Sequence, residues 1–450
     1  MNRITKYILP ILLVAVLLGS CKKAYFYSGI NQDPSQLKTP TASSLLAGTI
    51  LSTGYLWNGD ASRYASIFTQ QTYGNANQAF VYSKYIVTGD DVDNMWYAGT
   101  YGAIMTNIDT LVKIAHANNQ HYYEGVGKIL MANMLGLTTD FWGDVPYSQA
   151  FLGLNNLQPK FDTQEQIYTD LQSMLDDAIT LLSSADPSEF QPGTSDDILY
   201  GGDMSKWLRF AHALKAKFYL HLIKVSGHTD PTEGIAEAGL GFKPGESASV
   251  AFVGSAAVTT QAPWYQFNTQ RGDIGFDGYL DSLMQADGDP RFAPYFDTAN
   301  ATLGPLYGNP NSATVMMSYD ELQFDLAELR FRKGQTVEAA DAYNAAVQAN
   351  LARTGADATE AAVYATAVAK TGATITLADI INQKYRALFL SPETWTDWRR
   401  TGYPALQPYP GNVLGAIPRS LLYPVSETRY NAANTPKRTT MLARVWWDVQ

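Results

Sequence analysis

The stretch ILMANMLGLTTDFWGDVPYSQAF, residues 129–151, decides the fold because it joins an apolar helix to a turn that is rigid by composition. Its Ile, Leu and Met residues recur at helical spacing, which predicts a helix with one face covered by other helices. Trp142 supplies a bulky anchor, Gly143 gives a permissive backbone position, and Pro146 cannot continue a helix. We interpret the stretch as a buried helix followed by a packed turn, without a catalytic role.

Helical spacing recurs along the chain in pairs of neighbouring segments. The predicted pairs are residues 91–117 with 123–138, 161–179 with 206–225, 318–330 with 336–347, and 377–390 with 393–401. We expect Asp91 or Asp93 to cap the first of these helices and Ser205 to cap residues 206–225. The pattern predicts a mostly α-helical fold of about four tetratricopeptide-like helical hairpins, although no fixed period of roughly 34 residues is visible.

Residues 226–317 differ from the rest in composition, with dense Gly, Pro, Asn and Asp between short elements. Within them, the sequence predicts only a strand at residues 250–253 and a helix at residues 279–284. We therefore expect a long irregular loop insert inside a single domain that covers residues 41–450. A loop region of this length usually has a function.

The N-terminal segment is typical of an export signal. Two basic residues precede an apolar run at residues 8–18, and two small residues come directly before Cys21, which is the only cysteine. Leu-Gly-Ser-Cys is also the pattern of a bacterial lipoprotein signal. We therefore predict a signal peptide at residues 1–20, lipidation of Cys21 and a tether at residues 21–40. The alternative is an unlipidated secreted chain with a spare thiol.

The charge of the chain limits its partners. The formal net charge is −10 and becomes more negative when the two basic residues of the signal leave. Such an acidic surface repels phosphate backbones and anionic lipids, so we expect no nucleic-acid partner. No later apolar run reaches the length of a membrane-spanning helix. Membrane contact is therefore expected through the lipid anchor only.

The sequence contains no recognisable catalytic or metal-binding motif. The five histidines have no metal-binding spacing, and we find no GxSxG elbow, no phosphate loop and no GxGxxG after a strand. We expect no catalytic residue, no cofactor and no metal. Asp273, Asp277 and Asp281 have helical spacing but lack the alternating pattern of a calcium loop, so we interpret them as a solvated face. A glycosidase pair stays open, because 42 acidic residues offer many pairs.

Several segments, taken in order, resemble the SusD/RagB family of outer-membrane lipoproteins, and more closely its SusD-like branch. Singly they are weak signals, but together they span nearly the whole chain. The segments are residues 18–21, 31–34, 140–147 (DFWGDVPY), 159–162 with 166–168, 206–211 (KWLRFA), 289–291 (DPR), 395–404 (WTDWRRTGYP), 417–419 with 423–424, Glu427, Asn431 and 445–448 (VWWD).

The resemblance implies an all-helical lipoprotein anchored in the cell outer membrane by lipid and facing outward. Members of the family bind oligosaccharides, or in some cases peptides, and cap a SusC-like TonB-dependent transporter without catalysing a reaction. One departure is Lys22-Lys23 after Cys21, where surface-exposed relatives often carry acidic residues. The choice between the inner and outer leaflet therefore stays open.

A glycan site needs exposed rings that stack on sugar C–H faces, together with amides, carboxylates or Arg that bond the hydroxyls. Two loop regions offer this mixture. The candidate ligand-binding residues are Tyr73, Asn75 and Tyr82 in the first, and Trp264, Tyr265, Asn268, Arg271, Asp273 and Tyr279 in the second. Asn77, Tyr85, Tyr307 and Asn309 lie near them in the sequence. Seven tryptophans are assigned to structure: Trp96, Trp142, Trp207, Trp395, Trp398, Trp446 and Trp447.

Three functions are therefore considered. The first is a lipoprotein that binds oligosaccharides and delivers them to a TonB-dependent transporter. The second is a peptide-binding or lid subunit of such a transporter, without a glycan site of its own. The third is a lipid-anchored glycosidase, for which the sequence nominates no residues.

Overall fold

Helices dominate the computed structural model, which describes residues 40–276 and 278–449. The N-terminal half contains α1 (Ala42–Leu56), a π-helical turn (Trp57–Ala61), α2 (Ser62–Phe68), β1 (Tyr73–Gly74), α3 (Asn77–Ser83), α4 (Gly89–Asp93), a π-helix (Asn94–Met105), α5 (Thr106–Ala117), α6 (His121–Trp142), a 3₁₀ turn (Gly153–Asn155), α7 (Gln164–Ser183) and α8 (Met204–His221). Cys21 and the predicted signal peptide lie outside the described residues.

The C-terminal half is also mostly helical, and it ends in a segment of turns and loops after the last helix. It contains α9 (Thr232–Leu240), β2 (Ser247–Val250), a 3₁₀ turn (Val258–Thr260), α10 (Pro263–Gln270), β3 (Ile274–Gly275), α11 (Tyr279–Ala286), α12 (Phe292–Tyr295), β4 (Phe296–Asp297), β5 (Thr302–Leu303), β6 (Thr314–Ser318), α13 (Tyr319–Arg332), α14 (Thr336–Thr354), α15 (Ala358–Val368), α16 (Leu377–Ala387), α17 (Glu393–Thr401) and α18 (Val425–Tyr430). Among the described helices, none combines the length and the apolar character that crossing a membrane requires.

The predicted helical hairpins are confirmed. Helix α5 packs on α6, α7 on α8, α13 on α14 and α16 on α17, and α1 packs across α5 and α6. Two predicted caps are wrong. Thr88 begins the first helix through a capping box in which Asp91 is the third helical residue, and the Asp203 carboxylate, rather than Ser205, accepts the Ser205 and Lys206 amides of α8. In both cases a side chain further upstream reaches the free amides.

Helix α6 is the centre of the N-terminal hairpins. From Tyr123 to Trp142 every residue except Lys128 is buried, so neighbouring helices cover all of its faces and not the single face that we predicted. The close approach of α6 to α8 depends on a glycine, because a Cβ at Gly136 would lie 2.6 Å from the Phe218 ring of α8. Substitution of this glycine would push the two helices apart.

The turn after α6 is a packed structural corner, as predicted. Gly143 has a φ of +82°, a conformation that L residues with a side chain rarely adopt. The buried Trp142 indole donates to the Leu422 carbonyl at 2.9 Å, and the Tyr423 hydroxyl donates to the Asp144 carbonyl at 2.9 Å. These bonds tie the corner to the C-terminal segment.

The segment between α8 and α13 contains more regular structure than the sequence predicted. Strand β2 pairs antiparallel with β6, and its bounds lie three residues upstream of the predicted strand. Helix α11 contains the predicted helix at residues 279–284, whereas α9 and α10 were not predicted. Strand β4 pairs with β5. Strand β3 pairs with β1, which lies in the N-terminal half of the chain.

A network of ion pairs is buried among α8, α13, α16 and α17, and we call it the ion network. Its contacts are Lys217 with Glu321 at 2.6 Å, Lys384 with Asp325 at 2.6 Å and Asp397 at 2.7 Å, Arg400 with Glu328 at 2.9 Å and Asp397 at 2.6 Å, and His221 with Glu393 at 2.8 Å. All of these residues are less than 9% exposed. Each charge is therefore opposed by another inside the core.

The neighbouring charges set the protonation of the ion network. Burial alone would lower the pKa of His221, but the carboxylates of Glu393 and Asp140 outweigh it and raise the pKa to about 9. Burial opposes the charged form of Glu328 too, yet Arg400 and Arg332 lower its pKa to about 2. His221 is therefore a buried cation at neutral pH, and Glu328 is a buried anion.

Candidate functional site

Two loops that lie far apart in the sequence meet in a two-stranded ribbon, formed by β1 and β3. Tyr73 pairs with Gly275, and the Asn75 N–H donates to the Asp273 carbonyl at 2.9 Å. The Asn77 side-chain amide donates to the Asp273 carboxylate at 2.8 Å. A Cβ at Gly275 would lie 2.3 Å from the Tyr73 ring, so the ribbon requires glycine there. The ribbon thus joins the two regions that the sequence nominated separately.

A cavity of about 360 Å³, which we call the groove, opens beside the ribbon. Its walls combine residues from α1 to α4 with residues from α10 and β3. The lining residues are Tyr55, Asp60, Arg63, Tyr64, Ile67, Gln78, Ala79, Tyr82, Asp90, Asp91, Asn94, Met95, Gln266, Phe267, Gln270, Arg271, Asp273 and Ile274. The volume and the mixture of rings with polar groups are typical of small-ligand sites.

Aromatic side chains form one part of the groove wall. The Tyr64 and Tyr82 ring centroids are 5.1 Å apart, and the Arg63 guanidinium lies 4.5 Å from the centre of the Phe267 ring. Arg63 is also paired with Asp60, and the Tyr55 hydroxyl donates to the Gln266 side chain. The rings are therefore held in fixed orientations by polar partners before any ligand arrives.

Asp91 accepts more side-chain and backbone hydrogen bonds than any other carboxylate that lines the groove. It accepts the Thr88 N–H at 2.8 Å and the Thr88 hydroxyl at 2.6 Å, the Gln78 amide at 2.9 Å and the Tyr82 hydroxyl at 3.1 Å. Partial burial opposes the charged form, but these hydrogen bonds outweigh it and lower the pKa of Asp91 below its ordinary value. Burial raises the pKa of the Tyr82 hydroxyl. Asp91 therefore stays an acceptor, and Tyr82 stays protonated.

The predicted ligand residues fall into three groups. Tyr82, Arg271 and Asp273 line the groove. Tyr73 lies in the ribbon beside it, and Asn75 is exposed next to the ribbon. The others lie elsewhere: Tyr265 packs partly buried against the core, Asn268 donates to the Thr302 hydroxyl, and Tyr279 lines a separate cavity.

The prediction that Trp264 contacts a ligand is wrong. Its side chain is 1% exposed, and its indole donates to the Ser62 hydroxyl at 2.9 Å. Tyr85 and Tyr307 are also buried, at 1% and 7% exposed. A ring enclosed in this way has no free face for a sugar. Trp264 packs against the groove-lining Phe267, whereas Tyr307 packs against Phe389, and the Tyr85 hydroxyl accepts the Tyr409 N–H, both outside the groove.

Sequence reasoning missed most of the groove wall. Tyr55 and Arg63 lie on helices α1 and α2, where no local signal distinguishes a groove residue from a surface residue. Gln266, Phe267 and Gln270 share helix α10, and their spacing would have placed them together if that helix had been predicted.

The acidic side chains near the groove differ from the sequence-based expectation in their burial and protonation. No group of three or more His, Cys, Asp or Glu side chains in the described residues could hold a metal ion. Asp273 and Asp281 are buried, at 3% and 8% exposed, so the solvated face predicted for these two residues is wrong, and Asp277 lies outside the described residues. The Asp91 carboxyl has a lowered pKa, whereas a glycosidase acid needs a raised one.

The fold is shared with several solved structures. A chitin-binding protein has a TM-score of 0.74 and 23% identity, with 91% of this chain and 100% of that chain covered. A SusD/RagB family protein from Bacteroides thetaiotaomicron has a TM-score of 0.72 and 25% identity, with coverage of 91% and 99%. A chitin-binding SusD homolog from Flavobacterium johnsoniae has a TM-score of 0.71 and 22% identity, with coverage of 92% and 96%.

Sequence comparison gives the family directly. No curated protein matches the chain. The profile of the SusD-like_2 family, described as "Starch-binding associating with outer membrane", matches residues 34–311 and 301–424. These ranges include both strands of the ribbon and all of the groove. The chain therefore belongs to the SusD-like family of proteins.

Proposed function

We propose that this protein is a cell-envelope lipoprotein that binds oligosaccharides in the groove and delivers them to a SusC-like TonB-dependent outer-membrane transporter. The observation that carries the proposal is the meeting of two distant loops around a cavity of about 360 Å³ with rings and hydrogen-bonding side chains. Rings of this kind stack on sugar faces, and amides, carboxylates and guanidinium groups bond the hydroxyls. The chitin-binding neighbours of the same fold support this choice of ligand.

The charges of the groove favour neutral glycans. Four carboxylates and two guanidinium groups line it, and one of the guanidinium groups, that of Arg63, is already paired with Asp60. An anionic glycan would therefore meet net repulsion, while a neutral one would find acceptors and donors. We infer that uronic acids and sulfated glycans are excluded.

No chemical step is assigned to the groove. Retaining and inverting glycosidases need a carboxylic acid with a raised pKa beside a second carboxylate. Asp91 is held ionised by its hydrogen bonds, and the ion-network carboxylates are too deeply buried to meet a glycan. The groove is suited to hold a ligand and release it unchanged.

Anchoring and partnership complete the proposal. Lipid on Cys21 would hold the mature chain at the outer membrane, and a transporter barrel would receive the glycan. We expect mass spectrometry of the purified lipoprotein to find an acylated Cys21, and co-purification to recover a large outer-membrane barrel. A chain that purifies alone from the inner membrane would contradict this part of the proposal.

Binding is tested with the full-length lipoprotein on a panel of neutral glycans, anionic glycans and peptides. We expect saturable binding of a neutral oligosaccharide, weakened by Tyr82→Phe, which removes the bond to Asp91. Tyr430→Phe is the matched control for hydroxyl removal, because Tyr430 is exposed and outside the groove. Binding of peptides alone would favour the peptide-capture function, and release of sugar products would favour a glycosidase.

A further inference from the structure

A second cavity lies against helix α16, and we call it the tyrosine cavity. Its volume is about 440 Å³, and it opens between α11, the end of α15, α16 and the segment after α17. Three tyrosines, Tyr279, Tyr343 and Tyr403, are part of its lining. None of the residues that line the tyrosine cavity also lines the groove.

One face of helix α16 supplies the polar groups of this cavity. Asp379, Asn382 and Arg386 follow each other at intervals of three and four residues, which places them on a single stripe of the helix. Across from them, Tyr279 and Leu283 of α11 also have a spacing of four. The cavity is therefore built between a polar helix face and a mixed aromatic face.

One polar side chain of this stripe has unused hydrogen-bonding capacity. The Asn382 Oδ1 acceptor has no hydrogen-bond partner within the described residues, whereas the Arg386 Nε lies 4.0 Å from the Asp289 carboxylate. Buried polar atoms are nearly always satisfied, so the unpaired Asn382 acceptor is suited to a ligand hydroxyl that donates to it.

The charges of the cavity are already balanced. Lys370 and Asp379 are paired at 2.8 Å, and Arg386 is paired with Asp287. A charged ligand would have to displace one of these partners, whereas a neutral ligand would not. A hydroxyl group both donates and accepts, and the exposed Tyr279 ring offers a face for stacking.

We propose that the tyrosine cavity is a second binding site for a neutral sugar residue, and that a glycan bound in the groove continues into it. This proposal rests on the glycan binding proposed above. Ile274 lines the groove and Tyr279 lines the tyrosine cavity, and five residues of chain span at most about 18 Å. One extended oligosaccharide is therefore long enough to contact both sites, and short oligosaccharides would fill the groove alone.

The test uses the full-length lipoprotein and two neutral series, α-1,4 oligomers of glucose and β-1,4 oligomers of N-acetylglucosamine, from dimers to octamers. In the series that binds, short oligomers fill the groove alone. Calorimetric titration should therefore show a further increase in affinity when the oligomers become long enough to contact the tyrosine cavity as well. Asn382→Leu and Tyr279→Ala should each remove that rise, by about three- to tenfold, and leave the dimer affinity unchanged. Tyr430→Ala, an exposed tyrosine outside both cavities, is the matched control.

The outcomes separate the two proposals. If the longer oligomers bind Asn382→Leu and Tyr279→Ala as tightly as they bind the unchanged protein, the second site is overturned. The proposal of glycan binding in the groove then still stands. Affinity that does not change with oligomer length would overturn it as well. If no oligomer binds the unchanged chain, the glycan-binding function fails in these series, and the second site fails with it. Melting curves identify any variant that is unfolded, including Tyr279→Ala, which also removes the ring contact with Tyr385.

Discussion

The ion network and the groove contain the same kinds of side chain in opposite settings. In the network, Lys384 and Asp325 are 1% and 0% exposed, and each touches an opposite charge. In the groove, Arg271 and Gln270 are exposed, and Asp91 faces a cavity. The comparison teaches that burial separates the two roles: the same charges stabilise a scaffold when enclosed and meet a ligand when they line an opening.

The largest expected effect comes from breaking the ion network. Lys384→Met leaves Asp325 buried without its ion-pair partner and leaves Asp397 with Arg400 alone, and removing one partner of a buried pair costs about 3–5 kcal/mol of unfolding free energy. We expect denaturant or thermal unfolding to show that loss, while the folded fraction binds glycan with unchanged affinity.

The control for this change is an exposed ion pair. Lys113→Met removes the pair with Asp109, where the lysine side chain is 58% exposed, and should cost less than about 0.5 kcal/mol. Equal losses from Lys384→Met and Lys113→Met would contradict the role of burial. A weakened glycan affinity in folded Lys384→Met would show that the two regions are coupled.

The next effect concerns pH. The pKa of His221 is about 9 in the folded chain, against an ordinary value of 6.5. A cation with a raised pKa contributes stability that is complete below pH 6.5 and is lost as the pH rises through 9. The contribution is on the order of 3 kcal/mol. We expect the melting temperature to fall over this range, and His221→Gln to remove that part of the slope.

The comparison with His221→Gln is needed because Glu321 titrates nearby. Burial, partly offset by Lys217, raises the pKa of Glu321 from 4.5 to about 7. Stability therefore also falls as the pH rises from 4.5 to 7, but this part persists in the His221 variant. If the melting temperature of His221→Gln falls as steeply between pH 7 and 9 as that of the unchanged protein, His221 is not a buried cation.

A smaller effect is expected in the groove. Arg271→Ala removes an exposed guanidinium from the lining, and one charged hydrogen bond to a partly wet ligand is worth about a five- to tenfold change in affinity. The melting temperature should stay the same, in contrast to Lys384→Met. Calorimetric titration measures the affinity, and an unchanged value would remove Arg271 from the site.

The smallest effect is that of salt. The proposed ligand is neutral, so screening of the groove charges should change its affinity by less than about twofold between low and high ionic strength. The ion network is shielded from solvent and should respond as little. A steep loss of affinity with added salt would instead indicate a charged ligand.

The helices were largely predictable because periodicity reports burial along one element. Helix α17 has the predicted bounds, Glu393–Thr401, and α11 begins at the predicted residue. The N-cap of α8 was misassigned to Ser205, since Asp203 lies only two residues upstream and competes for the same amides.

The groove was predictable only in part, since it depends on contacts between distant segments. Each strand of the ribbon has two residues, too few for any periodic signal. Trp264 lies in a polar segment and looked exposed, but it bonds Ser62, a residue 202 positions away. Composition therefore identified the two loop regions, but only the tertiary structure separates buried rings from accessible ones.

The most direct test of the central claim is a crystal structure of the full-length lipoprotein with the neutral oligosaccharide that binds it most tightly. The account predicts sugar density in the groove, with a ring against Tyr82 or Phe267 and a hydroxyl bonded to Arg271. The glycan should be uncleaved. Sugar bound only at a surface away from the ribbon, or hydrolysed within the groove, would contradict the claim that the meeting of the two loops creates the binding site.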